Sequence, residues 1–154
     1  KIHPVEKMFY EKQKRGKNHE KNYLQMSFRL PSLINLRGLC HVRSAGHYIV
    51  HPGFRGIPMR KDFLELFWGV SGSGNIKYGD QVIPLKPGEK FCYFPGDYHD
   101  VFAGNTSWEF FWLTFDGPNL DMLIQLFGLS HTPQQSGPCP LKLFEDLIVY
   151  LRSR

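Results

Sequence analysis

Three residues of the sequence, Arg60, Glu65 and His99, could act together although they lie far apart along the chain. If Glu65 points inward it needs a partner, because an unpaired buried carboxylate is costly, and Arg60 or His99 could provide one. Such a trio would form the polar end of an otherwise apolar small-molecule site. Two simpler roles stay open: a surface ion pair of Arg60 with Asp62 or Glu65, and a buried structural role for His99.

Short apolar runs, punctuated by Gly and Pro between about Leu36 and Phe115, must position these residues. That pattern is typical of a sandwich or barrel of short strands. The predicted strands are Arg37–Ser44, Tyr48–Phe54, Phe63–Ser71, Gly74–Tyr78, Gln81–Leu85, Lys90–Phe94, Asp100–Ala103 and Trp108–Phe115. Gly79 and Asp80 form a two-residue hairpin connection, because Gly supplies the positive φ that such a turn demands. The chain is therefore predicted to be mainly β, with a barrel over residues 36–117 and an extension over residues 1–35.

Alternation along the last predicted strand separates two sets of side chains. Phe110, Trp112 and Thr114 share one face of the strand, while Phe111 and Leu113 lie on the other. Trp112 offers a flat apolar surface on which a sugar ring or another planar ligand could pack. A core tryptophan that touches no ligand is the alternative reading of the same residue.

Helical spacing replaces strand spacing after Phe115. Residues 118–129 are predicted to form one helix, and a second helix begins after Pro140. The second helix carries an apolar stripe of Leu141, Phe144, Leu147, Ile148 and Leu151. A stripe of this kind packs in the chain's own core or against a partner. Its position after a barrel that closes on itself favours a partner, so residues 118–154 are predicted to mediate dimerisation.

Charge and cysteine content restrict the function further. The net charge is +5, and residues 1–21 hold seven Lys or Arg and three Glu, or +4, which leaves about +1 for the rest. A nearly neutral body argues against nucleic-acid binding by the barrel, and the basic stretch at residues 12–17 is predicted to be a solvated arm. Three cysteines without paired spacing, and no apolar export or membrane segment, predict a cytoplasmic protein that does not enter a membrane.

Several segments carry a resemblance to known families. Glu65 with Gly72, and the run from Gly88 to His99, resemble the two motifs of cupins, which are double-stranded β-helix barrels. A narrower resemblance covers residues 46–118 and rests on the order and spacing of short fragments. The fragments are Ala45-Gly46-His47, Arg60, Asp62–Leu66, Val70–Gly74, Leu85–Glu89, Tyr93–Gly96 with His99, and Trp108–Pro118. In this order they resemble the effector-sensing domain of AraC-type bacterial transcription regulators.

The resemblance implies a cupin-like jelly-roll barrel followed by two C-terminal α-helices. It also implies that a small effector, a sugar or another small polar or organic molecule, binds inside the barrel. The resemblance further implies a homodimer that contacts DNA only through a separate C-terminal helix-turn-helix domain, which is absent from this chain. The face of Phe110 and Trp112 is then expected to point inward. The expected ligand-binding residues are Arg60, Glu65, His99, Val101, Phe110 and Trp112. Phe110 replaces a polar contact of the arabinose-sensing member, which argues against an arabinose-like ligand.

Metal chemistry is the principal alternative. Metal-binding cupins place two histidines before the Glu, and these positions fall here on Met59 and Lys61, or on Pro58 and Arg60. Glu65 and His99 supply only two of the three or four ligands that a tightly held metal needs. The sequence therefore predicts no metal, no cofactor and no catalytic residue. A metal-dependent cupin isomerase or dioxygenase, and a pairing domain that binds nothing, are the competing hypotheses.

Overall fold

A computed structural model describes residues 21–28 and 40–152 of the chain. The strands are β1 (Tyr23–Phe28), β2 (His41–Val50), β3 (Met59–Arg60), β4 (Leu64–Tyr78), β5 (Gln81–Leu85), β6 (Glu89–Tyr93), β7 (Tyr98–His99), β8 (Val101–Asp116) and β9 (Gln134–Gln135). The helices are α1 (Leu120–Leu126) and α2 (Leu141–Arg152). The prediction of a mainly β chain with two helices near its C-terminal end is confirmed. No helix in the described ranges is long and apolar enough to cross a membrane.

Antiparallel pairing joins the strands into two sheets. The larger sheet has the order β1-β2-β8-β4-β6-β9, with β5 paired to β4, and the smaller sheet consists of β3 and β7. The hairpin predicted at Gly79 and Asp80 is present: Tyr78 pairs with Gln81, and Gly79 has a φ of +59°. Strand β9 lies between the two helices in the chain and pairs with β6.

Three predicted pairs of short strands are instead single long strands. Strand β2 replaces the first pair of predicted strands, β4 the next and β8 the last. The predicted interruption in β2 was wrong because residues 45–47 pair regularly with β8. Those in β4 and β8 were wrong because irregularities within their shared ladder absorb the residues that suggested strand ends. In β4, for example, register shifts against β8 occur between Gly69 and Ser71 and between Gly72 and Gly74.

The N-terminal extension contributes a strand that the sequence did not predict. Strand β1 pairs with β2 from Tyr23 opposite Ile49 to Phe28 opposite Ser44. The basic stretch at residues 12–17 and the start of the first predicted strand, residues 37–39, lie outside the described residues.

The larger sheet separates two apolar clusters, one on each face. The inner cluster includes Phe67, Phe110 and Trp112, and the outer cluster includes Phe111 and Leu113. The two faces of β8 thus follow the alternation predicted for them. Helix α2 covers the outer face, so the inner face is the one available to form an interior site.

Candidate ligand-binding site

A cavity of about 440 Å³ lies on the inner side of the larger sheet and is reached by residues from β1, β2, β3, β4, β7 and β8. All the side chains that the sequence predicted as ligand contacts line it. They are Arg60, Glu65, His99, Val101, Phe110 and Trp112. The fold therefore gathers into one place residues that are separated by up to about fifty positions of sequence.

Strand pairing explains how the aromatic part of the cavity forms. In the ladders of β8, Trp112 lies opposite Gly46 of β2 and opposite Phe67 of β4. A Cβ atom at Gly46 would lie 2.4 Å from Cε2 of Trp112. Since that separation is far below van der Waals contact, the glycine leaves the space in which the indole lies.

Glu65 is the centre of the polar end of the cavity. Its Oε2 atom accepts hydrogen bonds from Nδ1 of His99 at 2.5 Å and from Nζ of Lys61 at 2.8 Å. Burial by itself would raise the pKa of Glu65, but the charge of Lys61 and the hydrogen bond from His99 outweigh it, so the pKa lies below its ordinary value. Glu65 is therefore an ionised carboxylate inside the protein at neutral pH.

Packing and hydrogen bonding hold His99 in one orientation. An ionised carboxylate only accepts hydrogen bonds, so Nδ1 of His99 must carry the proton that it shares with Glu65. The imidazole ring stacks on Tyr93, with ring centroids 4.2 Å apart. The hydroxyl of Tyr93 in turn donates to the carbonyl oxygen of Lys77 at 2.7 Å. The other ring nitrogen of His99, Nε2, is buried without a hydrogen-bond partner among the described residues.

Arg60 is not the partner of Glu65. Its side chain is exposed, and its Nη1 donates to the backbone carbonyl of Gly96. Glu65 thus pairs with His99, a partner that the sequence suggested, and with Lys61 instead of Arg60. Alternation did not reveal Lys61 because it lies outside β3 and β4, directly before the bend at Asp62 and Phe63, where the rule of opposite faces for successive residues no longer holds.

The remaining wall is mostly aromatic. Its aromatic side chains are Phe28, Tyr48, Phe54, Phe63, Phe67, Phe110 and Trp112. Tyr48 meets Phe110 and Trp112 edge to face, at centroid distances of 5.5 Å and 5.7 Å. The hydroxyls of Ser44 and Thr114 also line the cavity but hydrogen-bond to each other. Sequence reasoning identified Phe110 and Trp112 but not the rings from β2 and β4, whose approach depends on how the sheet curves.

The described residues offer little support for other chemistry. No three His, Cys, Asp or Glu side chains within residues 21–28 and 40–152 come together in a way that could hold a metal ion. Cys92 is buried in β6, and burial raises the pKa of its thiol to about 12. Because the thiolate is the reactive form, Cys92 is not an activated nucleophile.

Helix α2 divides the residues predicted for dimerisation. Phe144, Ile148 and Leu151 are buried against the outer face of the chain's own sheet. Leu147 is partly buried beside them, and Leu141 is 44% exposed. The predicted dimer contact therefore cannot include Phe144, Ile148 and Leu151, because side chains that pack inside one subunit do not also contact a second subunit. The surface of α2 that is open to a partner is its exposed side.

Comparison with known families gives one match along most of the chain. The family model described as the AraC-like ligand-binding domain matches residues 41–152, which include every strand of the barrel after β1 and both helices. No curated protein matches the chain.

Solved structures of cupins resemble the chain at low sequence identity. A Cupin 2 conserved barrel domain protein from Salinispora arenicola CNS-205 has a TM-score of 0.49 and 14% identity, over 68% of this chain and 84% of that chain. The Cupin_2 domain of an XRE family transcriptional regulator from Enterobacter cloacae has a TM-score of 0.47 and 15% identity, over 64% and 99%. A predicted oxalate decarboxylase from Thermotoga maritima has a TM-score of 0.43 and 23% identity, over 47% and 65%.

Proposed function

The chain belongs to the AraC-like ligand-binding domain family, and on that premise we propose that it is a non-enzymatic sensor that binds a small effector in its cavity. One observation carries the proposal: the residues selected from the sequence as ligand contacts converge on a single cavity of about 440 Å³. An apolar wall with a few convergent polar groups is the usual composition of a small-molecule site.

The polar end of the cavity supports recognition rather than catalysis. Glu65, His99 and Lys61 hold one another in fixed positions by hydrogen bonds. Within the described part of the chain none of the three is hydrogen-bonded to a Ser or Cys side chain, and burial keeps the thiol of Cys92 protonated. Groups with fixed geometry and no nucleophile are suited to orienting a ligand, because their positions are set before binding.

The proposal extends to the protein in which this domain acts. A regulator of this type carries a separate DNA-binding domain, and an effector that binds one arrangement of the domains more tightly shifts the population toward it. We assign the contact with DNA to that domain and the contact between two subunits of a homodimer to the exposed side of α2. The site of action is the cytoplasm, since that is where a bacterial regulator meets DNA.

The proposal is tested by a thermal-shift screen of sugars, polyols and organic acids against the wild type and a matched pair of variants. Val101→Trp fills the cavity from its wall, whereas Val82→Trp places the same residue on β5 at a side chain that is 55% exposed. An effector at about a hundred times its Kd should stabilise the wild type and Val82→Trp by roughly 2.7 kcal/mol. The same effector should leave the unfolding temperature of folded Val101→Trp unchanged. Equal shifts in the two variants would place binding outside the cavity and refute the proposal.

A further inference from the structure

The wall of the cavity favours one kind of ligand body. The ring of Tyr48 meets the rings of Phe110 and Trp112 edge to face. The ring centroids of Phe67 and Phe110 lie 5.9 Å apart. A flat unsaturated ring can add to such a cluster by stacking or by edge contacts. A sugar carries hydroxyls around its whole edge, and each hydroxyl placed against this wall would lose its hydrogen bonds to water. The wall thus suits a ligand whose polar groups are confined to its ends.

The buried end of the cavity retains an unused hydrogen-bond acceptor. Both hydrogen bonds to Glu65 end on Oε2, so Oε1 of this ionised carboxylate accepts none from the described residues. A ligand group at this end should therefore donate a hydrogen bond.

The exposed rim of the cavity carries a cation that forms no ion pair with the described residues. Lys61 is paired with Glu65, and Nη1 of Arg43 lies 3.9 Å from Oδ2 of Asp116. Arg60 forms no ion pair with a described carboxylate, Asp62 of the same cavity lining included, and the carbonyl of Gly96 accepts from only one of its nitrogen atoms. The planar guanidinium of arginine binds carboxylates through two parallel hydrogen bonds. The rim therefore suits an anionic group.

We infer that the effector is a planar aromatic carboxylate that carries a hydrogen-bond donor, such as a phenolic hydroxyl, at the end away from its carboxylate. This inference rests on the proposed function of the cavity. The donor binds Oε1 of Glu65, the ring lies among Tyr48, Phe110 and Trp112, and the carboxylate binds Arg60.

The ligand side of the inference is tested with trans-4-hydroxycinnamate as the probe and isothermal calorimetry as the measurement. Cinnamate lacks the hydroxyl, and methyl 4-hydroxycinnamate lacks the charge. Each should bind at least about tenfold more weakly than the probe, which is the loss expected for one hydrogen bond to a charged group. Equal affinities of the three compounds would overturn the inference.

The protein side is tested with Arg60→Gln, which removes the cation from the exposed rim. This variant should weaken binding of trans-4-hydroxycinnamate about tenfold and leave the affinity of its methyl ester unchanged. Lys142→Gln is the matched control, because it removes one positive charge from an exposed residue of α2 that does not line the cavity. An equal loss of affinity in the two variants would show a general charge effect and overturn the role of Arg60.

D-glucose and L-arabinose, added to the same assay, separate the two proposals. A sugar that binds the wild type but not Val101→Trp, while the aromatic acids fail to bind, overturns the ligand class and leaves effector binding in the cavity intact. Failure of every compound in both this assay and the wider screen counts against the proposed function itself.

Discussion

The Nδ1 atom of His99 lies 2.5 Å from Oε2 of Glu65, and both side chains are almost completely buried. This contact joins β7 of the smaller sheet to β4 of the larger one. It fixes the tautomer of the imidazole. Because the hydrogen bonds from His99 and Lys61 both end on Oε2, the other carboxylate oxygen, Oε1, takes no part in holding the side chain. One buried hydrogen bond thus connects the two sheets at the polar end of the cavity.

Acid should weaken this connection in a predictable range of pH. The pKa of Glu65 in the folded protein lies below its ordinary value of 4.5, so its ionised form stabilises the fold above that value. The stabilisation is lost as the pH falls from 4.5 through the lower folded pKa. Glu65→Gln should therefore reduce the free energy of unfolding near neutral pH, and its difference from the wild type should shrink in acid.

Urea unfolding at about pH 7 and about pH 3.5 measures this difference. Glu145→Gln, on the exposed side of α2, is the control and should change the free energy of unfolding little at either pH. A difference between the wild type and Glu65→Gln that is the same at both pH values would contradict an ionised, paired Glu65.

Two lysines at equal spacing from a carboxylate should differ in their contribution to stability. Lys61 with Glu65, and Lys142 with Asp146, are both four residues apart with 2.8 Å contacts, but the first pair is largely buried and the second is exposed. Lys61→Met should cost about 2–4 kcal/mol, because it leaves a buried carboxylate without its cation. Lys142→Met should cost less than about 0.5 kcal/mol. Urea unfolding measures both changes. If Lys61→Met and Lys142→Met lower the free energy of unfolding by similar amounts, the burial of Glu65 is not important for its pair with Lys61.

Adjacent residues of α2 should respond differently to truncation. Ile148 is 1% exposed in the outer cluster, whereas Val149 is 62% exposed. Ile148→Ala should lower the free energy of unfolding by about 2–5 kcal/mol, since it opens a cavity in packed side chains. Val149→Ala should change it by less than about 0.5 kcal/mol. A small loss for Ile148→Ala would mean that α2 does not pack on the sheet in solution.

Dimerisation through α2 should depend on its exposed apolar side chains. Leu143 is 58% exposed, and Tyr150, two turns later on the same side of the helix, is 44% exposed. Leu143→Glu combined with Tyr150→Glu should reduce the solution mass to that of one subunit, because two charges per subunit would oppose an apolar contact. Val82→Glu adds a charge to an exposed position of β5, outside α2, and should leave the mass unchanged. Light scattering distinguishes these outcomes, and an unchanged mass of the double variant would place the interface elsewhere.

Sequence reasoning was most successful where one local rule applies. The hairpin at Gly79, the opposite faces of Phe110 and Phe111, and the helix after Pro140 each follow from the geometry of a single element. It was least successful at glycines inside long strands. Composition there suggested that a strand ends, but pairing with the neighbouring strand continues on both sides of the glycines. It also missed β1, whose pairing partner lies some twenty residues away in the sequence.

By itself, then, the sequence determined the mainly β class, the family resemblance and the residue types around the cavity, because periodicity, turn chemistry and motif order are local properties. Tertiary structure alone decided that Lys61 rather than Arg60 pairs with Glu65, and that one side of α2 belongs to the subunit's own core. The first outcome depends on how the chain turns between β3 and β4, and the second on how a helix packs against strands far from it in the sequence. Turns of the backbone and the packing of elements are set by the folded structure, and no spacing along the sequence encodes them directly.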